Sequence, residues 1–213
     1  MSKIDINQRI PLSLLEIALK TFLVNNYDAE YLEEHLAFEY EGKNRIGKAL
    51  RIVNKIIKKN PLSLVLLENK QEILNALKHK GDRSVILIAL LNSAYPFSFD
   101  ILNIFAKYFQ VQEFISTELI KKETINKYGS NRSTENALYS VIPMFLEADF
   151  FLRSKPGLYQ VKEKLIIQSQ IANKLYIQSF ILNNLLLQDS NIIIHEPYFS
   201  MVELTHCDKW AII

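Results

Sequence analysis

The sequence predicts a mainly α-helical fold: an N-terminal helical bundle packed on a C-terminal unit that contains one small β-hairpin. Three observations point there. Apolar residues make up 49% of the chain, with only 5 glycines and 6 prolines among 213 residues, so there is material for a large core and little for long flexible linkers. From Leu12 to about Phe109 the apolar spacing is helical in one segment after another. The stretch SNRSTENALYSVIPMFLEADFFLRSKPGLYQV, residues 130–161, then reads as a capped helix that runs into a hairpin with SKPG at its turn.

The helices of the first half are predicted at 12–25, 29–40, 44–59, 61–67, 70–79, 83–94 and 98–109. Breaks are expected at Asn25-Asn26, Glu41-Gly42, Asn60-Pro61, Gly81-Asp82 and Pro96. Pro11 and Pro61 suit first helical turns, where the missing N–H leaves nothing unpaired. A further helix over 117–128 is stopped by Gly129. From Ser133, a helical step of about 100° gathers Ala137, Leu138, Val141, Ile142, Phe145, Leu146 and Ala148 on one face. Asn136, Tyr139, Ser140, Pro143 and Glu147 take the other face. Asn131 or Ser133 can cap this helix, and Glu135 complements its dipole. FFLR and LYQV bracket Pro156-Gly157, where the glycine tolerates positive φ. Helix, helix and hairpin in this order are the pattern of a winged helix-turn-helix, with the hairpin as the wing. A long helix is predicted from Lys162 to Leu187, and NIIIHEP after it reads as a strand or a buried extension. The division preferred is 1–112 for the bundle with its basic helix, and 113–213 for the winged-helix unit with the long helix and tail; the boundary near Val111–Ser116 is weakly marked, and the apolar helices at 83–109 could equally be the winged unit's own first helices.

Composition narrows the function. A formal net charge of +2 is mild, so contact with nucleic acid must depend on where the cations sit. The single cysteine, Cys207, excludes an internal disulfide and suits a reducing cytoplasm. Lys3, Asp5, Arg9 and Glu16 interrupt any secretory signal. The longest uncharged run, from Ser84 to Phe99, falls short of the ~20 apolar residues of a membrane span. A soluble cytoplasmic protein without membrane contact is expected. No phosphate-binding glycine loop, dinucleotide fingerprint or hydrolase elbow occurs. The histidines His35, His79, His195 and His206 are scattered, and only a folded-back tail would bring His206 and Cys207 to His195. No enzyme activity, metal, cofactor or small-molecule substrate is expected.

Residues 43–59, KNRIGKALRIVNKIIKK, hold seven basic residues and no acid. Arg45, Lys48, Arg51, Lys55, Lys58 and Lys59 fall within about 140° on a helical wheel. Ile46, Ala49, Leu50, Val53, Ile56 and Ile57 lie opposite. Such a stripe can follow phosphates, and counterion release would make the binding salt-dependent. The preceding residues 28–41 carry six acids and no lysine or arginine, so the two helices could instead neutralise each other. A third reading lays the helix on a membrane surface, but its apolar face lacks Trp and Phe and is needed for the core.

The helix from Ser133 has no lysine or arginine on its polar face. Asn136 can pair bidentately with adenine, Tyr139 and Ser140 can bind phosphate, and Glu147 would repel it. Flanking cations at Lys121, Lys122, Lys127, Arg132, Arg153 and Lys155 suit phosphates, as do the hydroxyls of Ser133 and Thr134. The residues expected at a double-stranded DNA interface are therefore the six of the stripe together with Lys121, Lys122, Arg132, Ser133, Thr134, Asn136, Tyr139, Arg153 and Lys155. The competing reading is a scaffold or adaptor whose winged helix and apolar tail contact other subunits.

The run from Val85 to Val161 resembles the small BrxA-type proteins of BREX phage-defence systems. The resemblance is carried by the apolar helix ending in Tyr-Pro within ILIALLNSAYPF, by DILNIFAKYF, and by the Ser-Thr-started helix STENALYSVIPMFLEADFF. The basic helix at 43–59 fits that family's arginine-rich N-terminal region. Glu135, Asn136 and Ala137 stand where the family tends to be basic. The resemblance implies a non-catalytic, cytoplasmic bacterial DNA-binding accessory protein that works beside other defence-system proteins.

Overall fold

The computed structural model describes residues 4–185 and 195–205. Helices dominate them, with two small sheets. The first half runs α1 (Leu12–Leu23), α2 (Ala29–Glu39), α3 (Lys43–Ile56), α4 (Ser63–Glu68), α5 (Lys70–Ala76), α6 (Lys80–Ala94) and α7 (Pro96–Phe109). Several expected boundaries move: α3 ends at Ile56, so Lys58 and Lys59 lie past it, and α4 starts at Ser63 rather than at Pro61. Gly81 and Asp82 do not break a helix but lie in the first turn of α6, where an acid complements the dipole. Pro96 starts α7 rather than preceding it, because Tyr95 before it takes the extended backbone that a following proline favours.

Next come β1 (Phe114–Ser116), α8 (Thr117–Tyr128), α9 (Arg132–Glu147), β2 (Phe151–Lys155) and β3 (Leu158–Val161). The expected hairpin is present: β2 and β3 are antiparallel, and Gly157 at their turn has φ +79°. It is not two-stranded, however. β1 pairs antiparallel with β3 on its other edge, giving the order β1-β3-β2. Phe151 fixes this sheet to α7 by stacking on Phe105 at 4.2 Å between centroids, and Tyr159 meets the same ring edge-on at 5.2 Å.

The single helix expected over 162–187 is not formed. Residues Leu165–Ile167 are β4, and α10 spans Gln170–Asn183. β4 pairs in parallel with β5 (Val202–Leu204). The helix cannot start earlier because Asp82 binds the backbone at the corner, accepting from the N–H groups of Gln168 (2.8 Å) and Ser169 (3.3 Å). Ser169 then caps α10 by accepting from the Ala172 N–H. A 3₁₀ turn, Pro197–Phe199, precedes β5. Most of NIIIHEP, together with His206 and Cys207, lies outside the described residues.

One buried apolar cluster extends from Ile6 to Val202. Its axis is α6, buried at every residue from Ser84 to Ala94. α1, α3, α7, α10 and β4 all pack on α6, so α10, expected in the second unit, covers a helix of the first. Where α6, α7 and α10 meet, polar groups are paired internally. Tyr198 Oη accepts from Asn92 Nδ2 at 2.9 Å and lies 2.9 Å from Ser179 Oγ, while Ser98 Oγ donates to Asn92 Oδ1 at 2.7 Å. Tyr176 donates to the Tyr198 carbonyl, and Asn183 to that of Asn92. Among the described residues no helix is long and apolar enough to cross a membrane.

Candidate functional site

The exposed part of α9 is smaller than its helical wheel suggests. Asn131 caps the helix by accepting from the Thr134 N–H at 3.0 Å. Thr134, expected at an interface, is buried and donates its hydroxyl to the Gly129 carbonyl. Ser140 is also buried and bonds back to the Asn136 carbonyl at 2.7 Å. Short hydroxyl side chains satisfied by nearby backbone can sit inside although their position on the wheel is polar. Glu147 is held by Arg9 at 2.9 Å and by the Leu12 N–H at 2.9 Å, so its charge is largely used within the fold. Asn136 and Tyr139 are left as the open polar positions past the first turn, with Tyr139 62% exposed.

Two clefts flank Tyr139, and its side chain lines both. The first, about 440 Å³, lies between α9 and the start of the chain. Arg9, Gln8, Glu39, Tyr40, Arg45 and Asn136 are among its walls. Gln8 donates to the Arg45 carbonyl at 3.3 Å, and the Arg45 guanidinium lies 5.3 Å from the centre of the Tyr40 ring. The second cleft, about 260 Å³, lies between α8, α9 and the hairpin and is mostly apolar, with Leu138, Ile142, Pro143 and Tyr159 in its lining. Lys121 sits 5.8 Å from the Tyr139 ring centre, and Arg153 sits 5.6 Å from that of Tyr159. Glu118 is the acid that lines this cleft.

Four cations from four separate parts of the chain therefore surround the exposed end of α9. They are Arg9 before α1, Arg45 on α3, Lys121 on α8 and Arg153 on β2. Arg9 carries no signal in the sequence, because only the docking of residues 4–11 beside α3 and α9 brings it here. Of the other flanking residues, Lys122, Arg132, Ser133 and Lys155 are exposed. Lys127 is drawn away by Asp100 at 2.6 Å.

The basic stripe is split. Arg45 reaches the first cleft, but Lys55, about 15 Å further along at 1.5 Å per residue, pairs with Asp5 and lies 4.2 Å from the Tyr95 ring centre. Lys58 lies over Tyr27, whose hydroxyl burial pushes up to about 12. Lys48, Arg51 and Lys59 are exposed. Although α2 packs against α3, no ion pair among the described residues joins the acids of α2 to these cations.

Comparisons with protein-family models, with curated proteins and with solved structures found no match to this chain.

Proposed function

We propose that this protein is a non-catalytic accessory module that binds double-stranded DNA mainly through phosphates. In this reading α8, α9 and the β2–β3 hairpin act as a winged helix-turn-helix, with α9 as the helix that approaches the groove. The observation that carries it is the set of three cations in no ion pair among the described residues, Arg45, Lys121 and Arg153, that stand around Asn136 and Tyr139 on elements distant in sequence. Lys122, Arg132, Lys155 and the free cations of α3 extend the positive surface outward. A cytoplasmic setting beside other proteins of a BREX-type defence system rests on the resemblance of residues 85–161 alone.

Sequence discrimination is weak in this reading. A good bidentate base contact is worth roughly 1–3 kcal/mol, and Asn136 is the one strong candidate for it on the exposed face of α9. Preference for any selected site over random duplex should stay below about a hundredfold, the top of that range. The test is a mobility-shift titration of duplex DNA over a range of salt. Reversing Arg45, Lys121 and Arg153 to Glu should abolish binding, and single reversals should each lower the salt slope by about one. Lys127→Glu, at a cation already paired with Asp100, serves as the control. Undiminished binding by the folded triple variant would overturn the proposal.

The alternative, an adaptor that contacts other proteins, is favoured by one observation. The outer face of α2 presents Phe38, 88% exposed, together with Tyr31.

A further inference from the structure

We infer that the apolar cleft between α8, α9 and the hairpin receives an unstacked nucleobase, so that the preferred ligand is a duplex carrying a single-stranded end. This rests on the nucleic-acid reading and adds to it the form of nucleic acid bound.

A continuous duplex shows its bases only by their edges, and α9 has little to read edges with. The cleft offers what a base face needs. Its volume of about 260 Å³ lies below the roughly 300–1,000 Å³ of sites for drug-sized ligands, room for a ring system rather than for a protein segment. Leu138, Ile142 and Pro143 give it apolar walls, and the exposed ring of Tyr139 gives it an aromatic one; Tyr159, which also lines it, is itself buried against Phe105 and Phe151. Its cations Lys121 and Arg153 lie over those two tyrosine rings. An aromatic slot edged by cations matches a nucleotide, whose flat base and phosphate need both, better than it matches an aliphatic or purely anionic ligand. Tyr139 also lines the neighbouring cleft, so a strand that places a base on one side of its ring meets Arg45 on the other. Stacking tolerates any base, which agrees with the poor edge readout of α9.

The test compares three DNAs with one duplex sequence: blunt-ended, with a short 3′ overhang containing 2-aminopurine, and with an overhang of equal length made of abasic nucleotides. The intact protein should bind the base-containing overhang roughly five- to a hundredfold more tightly than the blunt duplex, the usual worth of one stacked base. The 2-aminopurine emission should fall on binding. The abasic overhang, which keeps the phosphates, should behave like the blunt duplex. Tyr139 also belongs to the duplex interface, so the readout is the ratio of affinities between the base-containing and the abasic overhang, which Tyr139→Ala should remove and Tyr139→Phe should keep. Equal affinity for all three DNAs, or a preference that survives Tyr139→Ala, would overturn the inference while leaving duplex binding intact. Failure to bind any of them would overturn the nucleic-acid reading itself.

Discussion

Asp149 follows the end of α9 in a left-handed backbone conformation, φ +62°. Its N–H reaches the Leu146 carbonyl, and the next N–H, of Phe150, reaches that of Phe145, so the last turn of the helix is closed. Aspartate and asparagine tolerate this conformation better than most side chains. The carboxylate is gripped by Lys162 at 3.0 Å and by Lys80. Burial alone would raise its pKa, but the hydrogen bonds and charges of the two lysines outweigh that and hold it below the usual 3.8. Because the folded value is the lower one, the stabilisation is fully present above the unfolded pKa near ~3.9 and is lost as pH falls through the folded value. Asp149→Asn keeps the backbone preference and removes the charge. The variant should be less stable than the wild type near neutral pH by about 1 kcal/mol or less, as for solvent-accessible ion pairs. Urea denaturation should show that difference closing as pH falls through the lowered pKa of the folded protein, where both proteins become uncharged at this position. Nothing in the local sequence pairs Asp149 with Lys80, and the same is true of Arg9 with Glu147. Such partners are set by helix docking and cannot be read from spacing.

At the scale of elements, what could be read in advance was what local chemistry dictates. α8 and α9 follow from the Gly129 stop and the Asn131 cap, and the hairpin from Pro156-Gly157. β1 has no signature in the sequence because a three-residue strand carries almost no pattern. β4 is hidden in the sequence because Leu165–Ile167 continues a helical apolar spacing into α10. Its strand conformation depends on β5, a partner far along the chain, and on Asp82. Gly81 shows why β4 can lie where it does: a Cβ there would overlap the backbone carbonyl oxygen of Ile166. In a solvent-exposed helix, Gly→Ala stabilises by about 1 kcal/mol. Here Gly81→Ala should destabilise instead, by about 1–3 kcal/mol, because the obstructing atom is backbone and cannot rotate away. Thermal or chemical denaturation checks the sign, which separates close packing of β4 on α6 from ordinary helix propensity.

For the whole molecule, the hydrogen-bonded group around Tyr198 joins α6, α7, α10 and residues 195–205 into one interior. Burial raises the Tyr198 hydroxyl to about 12, so it stays protonated at all ordinary pH. Tyr198→Phe would leave the Asn92 amide N–H without its acceptor inside the core, and would take from Ser179 its hydroxyl partner. The expected loss is about 1–3 kcal/mol, measured as a lower urea midpoint with an unchanged slope. The sequence shows that Asn92 interrupts an apolar helix, but not that a tyrosine over a hundred positions later meets it. For the same reason the expected division near residue 112 does not divide the core. The dependence of α6 on α10 also has a consequence for biosynthesis. A nascent chain that has just completed Ala94 carries a helix apolar on nearly all sides; α1 and α3 are there to cover part of it, but α10, which packs on it most extensively, begins only at Gln170. At about 5–20 residues per second that interval lasts several seconds. During it the ribosome holds an exposed sticky surface, the kind of intermediate that chaperones bind and that aggregates when translation stalls.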